Sequence, residues 1–358
     1  MSGAVILGTL SVATLAAIGP TEDLAHPAAD RNAEMKAAAI KASVDVKSTQ
    51  DGSMQKVVYY QPETAAKNLP GEAVPLLVFL HTWSGSIEQG PLLIGLAKQR
   101  GWVMIAPAFR GINNQPEACA SDLASQDIID AVGYAQTHAR IDASRIYLVG
   151  GSGGGHMSLV MAERAPQLWA GVSAWVPISD LTAWHAESTA RKNNYAKMIE
   201  QCCGGKPGPA TAAEYRHRSP LFHLAAAKNL PLDINTGIHD GHTGSVPVSQ
   251  SLHAFNVLAA ANGQPQQQLT EADIDFITRE QKIPDSLAAE KQTDPERHKA
   301  VLFRRIAGAV RITVFEGGHD SEPVAALNWL ARQRKGQAAD FTLAEPPKDA
   351  PSSLRLAK

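Results

Sequence analysis

The period of hydrophobic and polar positions changes along this chain, and each change marks an element. Between Ser43 and Ser48, Val44 and Val46 alternate with polar neighbours; Asp51-Gly52 supplies turn chemistry, and a second run extends from Met54 to Tyr60. Alternation on both sides of a turn dipeptide predicts an antiparallel hairpin. Downstream the pattern differs in kind. Pro75 to Leu80, Trp102 to Ala106, Arg145 to Val149, Val172 to Val176, Leu232 to Asn235 and Val310 to Phe315 are short, mostly apolar runs. Helical patterns such as Leu92 to Arg100, Ser125 to His138 and His156 to Arg164 lie between them. Strands that lose alternation are covered on both faces, and intervening helices make parallel crossovers. The expected fold is α/β: a mostly parallel, doubly wound sheet with helices on both faces and the hairpin as its antiparallel N-terminal edge.

Two stretches break this alternation. Residues near 182–230 hold Trp184, Cys202, Cys203 and several prolines, and residues near 264–297 are polar and charged, with a helix expected around Glu271 to Gln281. Both read as insertions in one domain spanning 41–335, with a C-terminal tail at 336–358. Residues 1–40 read as a leader and linker. Ala4 to Ile18 is an apolar run of about secretory length, too short to span a bilayer, and no basic side chain precedes Arg31. The expected location is therefore secreted or periplasmic, with the cytoplasm as the alternative. No later stretch is apolar enough to cross a membrane.

Composition narrows the function. Of 358 residues, 44% are apolar and 19% charged, which suits a globular chain with a sizeable core. Lys plus Arg number 33 against 35 Asp plus Glu, a net charge of -2, so no basic field exists to hold a phosphate backbone and nucleic acid is excluded as an expected partner. Cys119, Cys202 and Cys203 are too few for a disulfide scaffold or a zinc knuckle. They fit either one bridge from Cys119 to the adjacent pair or three buried thiols.

The strongest chemical signal follows Arg145. A strand runs into Gly150-Gly151-Ser152-Gly153-Gly154-Gly155-His156 and then a helix, which contains the pattern G-x-S-x-G. A Ser at a sharp strand-to-helix turn needs small neighbours, and the helix N-terminus favours an oxyanion. The competing reading, a phosphate loop, lacks the Lys that such a loop carries. A Ser hydroxyl needs a base, and the base needs an orienting acid. His319 follows the last strand in Glu316-Gly317-Gly318-His319, at the carboxyl end where α/β sheets collect functional groups. Asp240 occupies the matching loop after the Leu232 strand. Asp180, at the end of the preceding strand, is its rival; Asp320 and Asp233 are poorer choices. The oxyanion calls for two backbone donors, assigned to Gly153 and Trp83, with Thr82 as the near alternative to Trp83. His81 is read as bracing that loop.

Together these residues resemble the α/β-hydrolase superfamily, and within it the catalytic domain of prolyl-oligopeptidase-type serine hydrolases and related acyl esterases. The similarity runs from about Val57 to Arg332. It is carried by the strand ending in His81, the Phe109-Arg110-Gly111 turn, Gly150 to Gly154, the strand leading to Asp240 with Val246-Pro247 after it, and Gly317-Gly318-His319. The order Ser152, Asp240, His319 is that of the superfamily. The chain departs from the family where the usual His-Gly-Gly becomes His81-Thr82-Trp83. The short segment before the sheet leaves no room for the family's β-propeller, which implies a stand-alone hydrolase core.

The resemblance implies a serine hydrolase working through an acyl-enzyme, with no metal or organic cofactor. The favoured substrate is a small-molecule or oligosaccharide carboxylic ester, an acylated carbohydrate by fold-level analogy. A dipeptidyl or oligopeptide peptidase is the alternative, and a non-enzymatic module on a hydrolase scaffold is the third reading. Trp83, Trp184 and Arg110 are the candidate substrate-binding residues, Trp83 foremost. Structural roles compete with that assignment: Trp184 as an anchor for the insertion, Arg110 as the partner of a carboxylate, and Trp175 as core.

Overall fold

The apolar runs become strands buried on two faces. A computed structural model describes residues 28–344 and gathers nine strands into one sheet. They are β1 (Ser43–Lys47), β2 (Met54–Tyr60), β3 (Val74–Leu80), β4 (Val103–Pro107), β5 (Ile141–Gly151), β6 (Gly171–Trp175), β7 (Leu232–Gly237), β8 (Val301–Ala307) and β9 (Val310–Phe315). Their spatial order is β1-β2-β4-β3-β5-β6-β7-β9-β8. The central strands β4, β3, β5, β6, β7 and β9 pair in parallel; β1, β2 and β8 add antiparallel edges. Period-two geometry divides the runs between two cores. Leu76, Val78, Val103, Ile105, Ile146 and Leu148 enter one; Leu77, Met104, Ala106, Tyr147 and Val149 enter the other. That is why the sequence shows runs without alternation.

Three features depart from the sequence reading. Strand β8 was not expected, because Arg304 and Arg305 break its apolar run. Its burial is made possible by partners: Arg304 donates to Asp294 at 2.7 Å and to Thr313 of β9 at 3.1 Å. The sheet therefore has antiparallel strands at both edges. The stretch expected as linker contains a helix, Ala28–Lys41, as its alanine content favours. Ala39 of that helix packs in the same core as Val58 and Leu93. The tail beyond 335 begins as a docked strap, with Phe341 stacked on Trp329 at 5.9 Å. The signal-like run at the N-terminus lies outside the described residues.

The first insertion folds into helices Leu181–Ala190, Tyr195–Cys203 and Ala212–His217 above the carboxyl ends of the strands. Trp184, Met198, Ile199, Cys202, Cys203 and Tyr215 form a third cluster with Trp83 and Cys119. All three cysteines are free, buried thiols in it, and burial pushes the Cys203 thiol up to about 12. The second insertion carries the expected helix, Glu271–Glu280, opened by a Thr270–Asp273 capping box. Among the described residues, no helix is long and apolar enough to cross a membrane and no group of three His, Cys, Asp or Glu side chains is placed to hold a metal ion.

Candidate active site

Ser152 joins β5 to the helix Gly153–Arg164, and its backbone angles, φ 58° and ψ -120°, lie outside the ordinary helix and strand regions. A non-glycine residue holds such strain only where its surroundings leave no other path. Here backbone packs on backbone. A Cβ on Gly150 would stand 2.4 Å from the Gly154 carbonyl oxygen, and one on Gly154 would stand 2.2 Å from that of Leu80. The Ser152 N–H donates to the Trp175 carbonyl at 2.9 Å, tying the turn to β6. The local sequence thus dictates the elbow that the G-x-S-x-G pattern predicts.

The acid and the imidazole meet on neighbouring loops. Strands β7 and β9 pair through Gly237 and Phe315, and beyond them a Cβ on Gly237 would meet the Gly318 carbonyl at 2.1 Å. This close approach brings Asp240 to His319: Oδ2 accepts from Nδ1 at 2.7 Å. The other carboxylate oxygen, Oδ1, accepts from the N–H groups of Gly241 at 2.9 Å and Val246 at 3.1 Å. Asp240 is buried, and these donors satisfy its charge without water. A protein acceptor on Nδ1 fixes the tautomer and leaves Nε2 as the basic atom. Its hydrogen-bond neighbour in the structure is the Ser245 hydroxyl at 3.5 Å, and among the described residues the Ser152 hydroxyl makes no hydrogen bond to it. The rival, Asp180, is occupied elsewhere. Its carboxylate caps the helix Leu181–Ala190 by accepting from Thr182 N at 2.7 Å and Ala183 N at 3.2 Å.

The loop after β3 discriminates between the two donors considered for an oxyanion. The Thr82 N–H is spent on the Gln89 side chain at 2.9 Å. The Trp83 N–H finds no acceptor among the described residues and lies against the start of the nucleophile helix, 2.3 Å from where a Gly153 Cβ would sit. Gly153 is the first residue of that helix, so its own N–H is one of the orphan donors of a helix terminus. His81 braces the loop as expected. Its ring nitrogens lie 2.8 Å from the carbonyls of Thr82 and Ala108, it stacks on Phe109 at 3.9 Å, and burial lowers its pKa.

The three candidate substrate-binding side chains have other occupations. The Trp83 ring is 1% exposed and stands edge-on to Trp184 at 4.7 Å, so it forms the floor of the cap cluster and offers no open face. Trp184 is fully buried and donates its indole N–H to the Ser245 carbonyl at 2.8 Å. Arg110 donates to Asp127 at 2.7 Å and to Asp51 at 2.8 Å, which locks its left-handed turn and holds the Asp51 carboxyl well below the usual range. Large aromatic surface is drawn into packing wherever a cap covers it, and a planar guanidinium pairs with the nearest carboxylates. The aromatic faces that a sugar-binding site would use are not available from these residues.

Sequence reasoning missed the residues that hold the loops of the candidate site. Gln89 takes the Thr82 N–H, Ser245 places its hydroxyl 3.5 Å from His319 Nε2, and Arg191 donates to the Gly244 carbonyl at 2.7 Å. Only Ser245 had a nearby signal, the Val246-Pro247 pair beside it. Gln89 lies close by in sequence but on a segment with no motif, and Arg191 is 53 residues from the carbonyl it holds.

Comparison with known proteins places the chain in a family and a fold. A family model described as "Prolyl oligopeptidase family" matches residues 95–290, a segment that includes Ser152 and Asp240 and stops before His319. The "Uncharacterized peptidase YtmA" of Bacillus subtilis (strain 168) is 30% identical over 140 residues, covering 38% of this chain and 51% of that protein. The chain thus spans about half the length of that curated relative. Among solved structures, the acylaminoacyl peptidase of Pyrococcus horikoshii superposes with a TM-score of 0.55 at 18% identity, over 84% of this chain and 42% of that one. A puromycin-hydrolyzing peptidase of Mycobacterium tuberculosis gives 0.50 at 18% identity, over 81% and 38%. At these identities the superpositions show a shared α/β-hydrolase fold.

Proposed function

This chain belongs to the prolyl oligopeptidase family, and from that premise we propose that it is a serine peptidase acting on short peptides or aminoacyl amides. The observation that carries the serine-hydrolase part of this reading is the part-buried hydrogen bond, 2.7 Å long, from His319 Nδ1 to Asp240 Oδ2, formed at the same end of the sheet as the strained Ser152. The family's relatives carry its preference for an amide. In the proposed cycle, His319 Nε2 takes the Ser152 proton as Oγ attacks the scissile carbonyl, and the proton then passes to the leaving amine. The Asp240 carboxylate stabilises the imidazolium that forms between these steps. The N–H groups of Gly153 and Trp83 receive the oxyanion. Water, activated by the same imidazole, releases the acyl group from Ser152.

The ester reading weakens because a triad and an oxyanion hole serve esters and amides alike. Its substrate argument rested on a short segment before the sheet and on aromatic faces that the cap has buried. The descriptions of the relatives support an amide substrate, and a cap of three helices over the strand ends suits a small one. The test is a matched panel of aminoacyl and N-acyl-aminoacyl p-nitroanilides beside p-nitrophenyl acyl esters, ranked by kcat/KM. Amide turnover that disappears in Ser152→Ala is the expected result. Ester turnover with no measurable amide hydrolysis across the panel overturns the peptidase reading in favour of an esterase.

A further inference from the structure

The turn at 241–246 links the acid to the base. It begins at Asp240, and its last residue, Val246, returns an N–H to Asp240 Oδ1. Gly244 packs so closely that a Cβ there would lie 2.2 Å from Asp240 Oδ1 and 2.6 Å from His319 Cβ. Ser245 faces His319 Nε2 at 3.5 Å. Yet neither Gly244 nor Ser245 makes a backbone-to-backbone hydrogen bond. Their carbonyls are held by two side chains of the first insertion: Arg191 Nη1 donates to Gly244 O at 2.7 Å, and Trp184 Nε1 donates to Ser245 O at 2.8 Å. Both donors sit on one cap helix and its C-terminal residue, spaced to reach consecutive carbonyls.

We infer that Arg191 is a positioning residue for the acid–base pair, acting through the Gly244 carbonyl. The inference rests on the reading of Asp240 and His319 as that pair. The cap is then part of the catalytic frame as well as a cover. Trp184 is buried and its loss would open the core, whereas Arg191 is exposed and can be changed with the fold intact. Freeing the turn would let Val246 N leave Asp240 and Gly244 leave the His319 Cβ, and misplacements of this size are expensive in rate.

The test uses a fluorophosphonate probe, which reports Ser152 reactivity whether the natural substrate is an amide or an ester. In Arg191→Met the maximal labelling rate should fall about 10- to 50-fold while the probe's half-saturating concentration stays within about twofold. In Arg191→Lys, which keeps a cationic donor, the rate should return to within about threefold of the unaltered protein. Amide hydrogen exchange at 241–246, expected to quicken by about tenfold in Arg191→Met, reads the clamp with no chemistry involved, even in a protein that takes no label. The inference is overturned if Arg191→Met labels within twofold of the unaltered protein or if exchange in this turn is unchanged. It is also overturned if Met and Lys variants lose rate equally, in step with a lowered Tm.

Discussion

Ser152 stands on backbone packed against backbone, with β3, β5 and β6 converging on glycines that admit no side chain. Asp240 and His319 stand on loops beyond β7 and β9, whose shape depends on Gly237 and on side chains from an inserted cap. The nucleophile half is therefore made of the same interactions as the core, and stability and activity are joined there. The acid–base half is close-packed too, but its turn carbonyls at Gly244 and Ser245 are held by cap side chains and not by the sheet, so its activity is expected to be separable from the stability of the sheet. In the proposed cycle the nucleophile keeps one place while the imidazole serves two partners in turn, which matches a backbone-set Ser152 and a loop-borne His319.

The largest effect that tests this contrast comes from the acid–base half. Asp240→Asn removes the carboxylate that stabilises the imidazolium but keeps the shape, so kcat/KM should fall about 10,000-fold with little change in melting. A melting temperature that falls along with the activity would show that this half, too, is structural. In the nucleophile half, Gly154→Ala forces a methyl into the Leu80 carbonyl, so activity should fall about 1,000-fold and stability by about 3 kcal/mol together, read by calorimetry beside the assay. Loss of activity without loss of stability would separate what the packing joins.

The next effect is one of pH. His156 lies in the nucleophile helix with Nε2 2.8 Å from the Arg218 carbonyl, and burial lowers its pKa to about 4. The folded state keeps it neutral while the unfolded chain protonates near the ordinary histidine value. Stability present above about pH 6.5 is therefore lost as pH falls toward 4, by up to about 3 kcal/mol. Denaturant titrations at pH 7 and pH 4.5 should show the difference, and it should shrink in His156→Gln. The smallest effect is expected at Asp180. Asn also caps helices well, so Asp180→Asn should keep stability within about 0.5 kcal/mol and activity within about threefold. A large activity loss there would revive Asp180 as the acid.

Much of this was legible before any coordinates. Ser152 and its glycines are contiguous, so a motif could report the elbow. That Asp240 and His319 meet is legible from their place after apolar runs, because strand ends converge in a parallel sheet. The aromatic and arginine candidates failed for a common reason: Trp83, Trp184 and Arg110 found internal partners, and residue type alone does not say whether a ring or a guanidinium is already occupied. Strand β8 escaped because buried Arg304 finds Asp294 and Thr313, partners that periodicity does not count.

The chain's own order of residues determined the parallel sheet, the strained serine, and which Asp and His stand at the strand ends as the proposed acid and base, since each depends on local period or on position relative to a strand end. Only the tertiary structure decided which N–H after β3 is left without an acceptor, which aromatic rings are covered, and that Arg191 and Trp184 hold the turn beside His319. Those outcomes depend on contacts between segments far apart in the chain, and such contacts leave no repeat or spacing in the sequence to mark them.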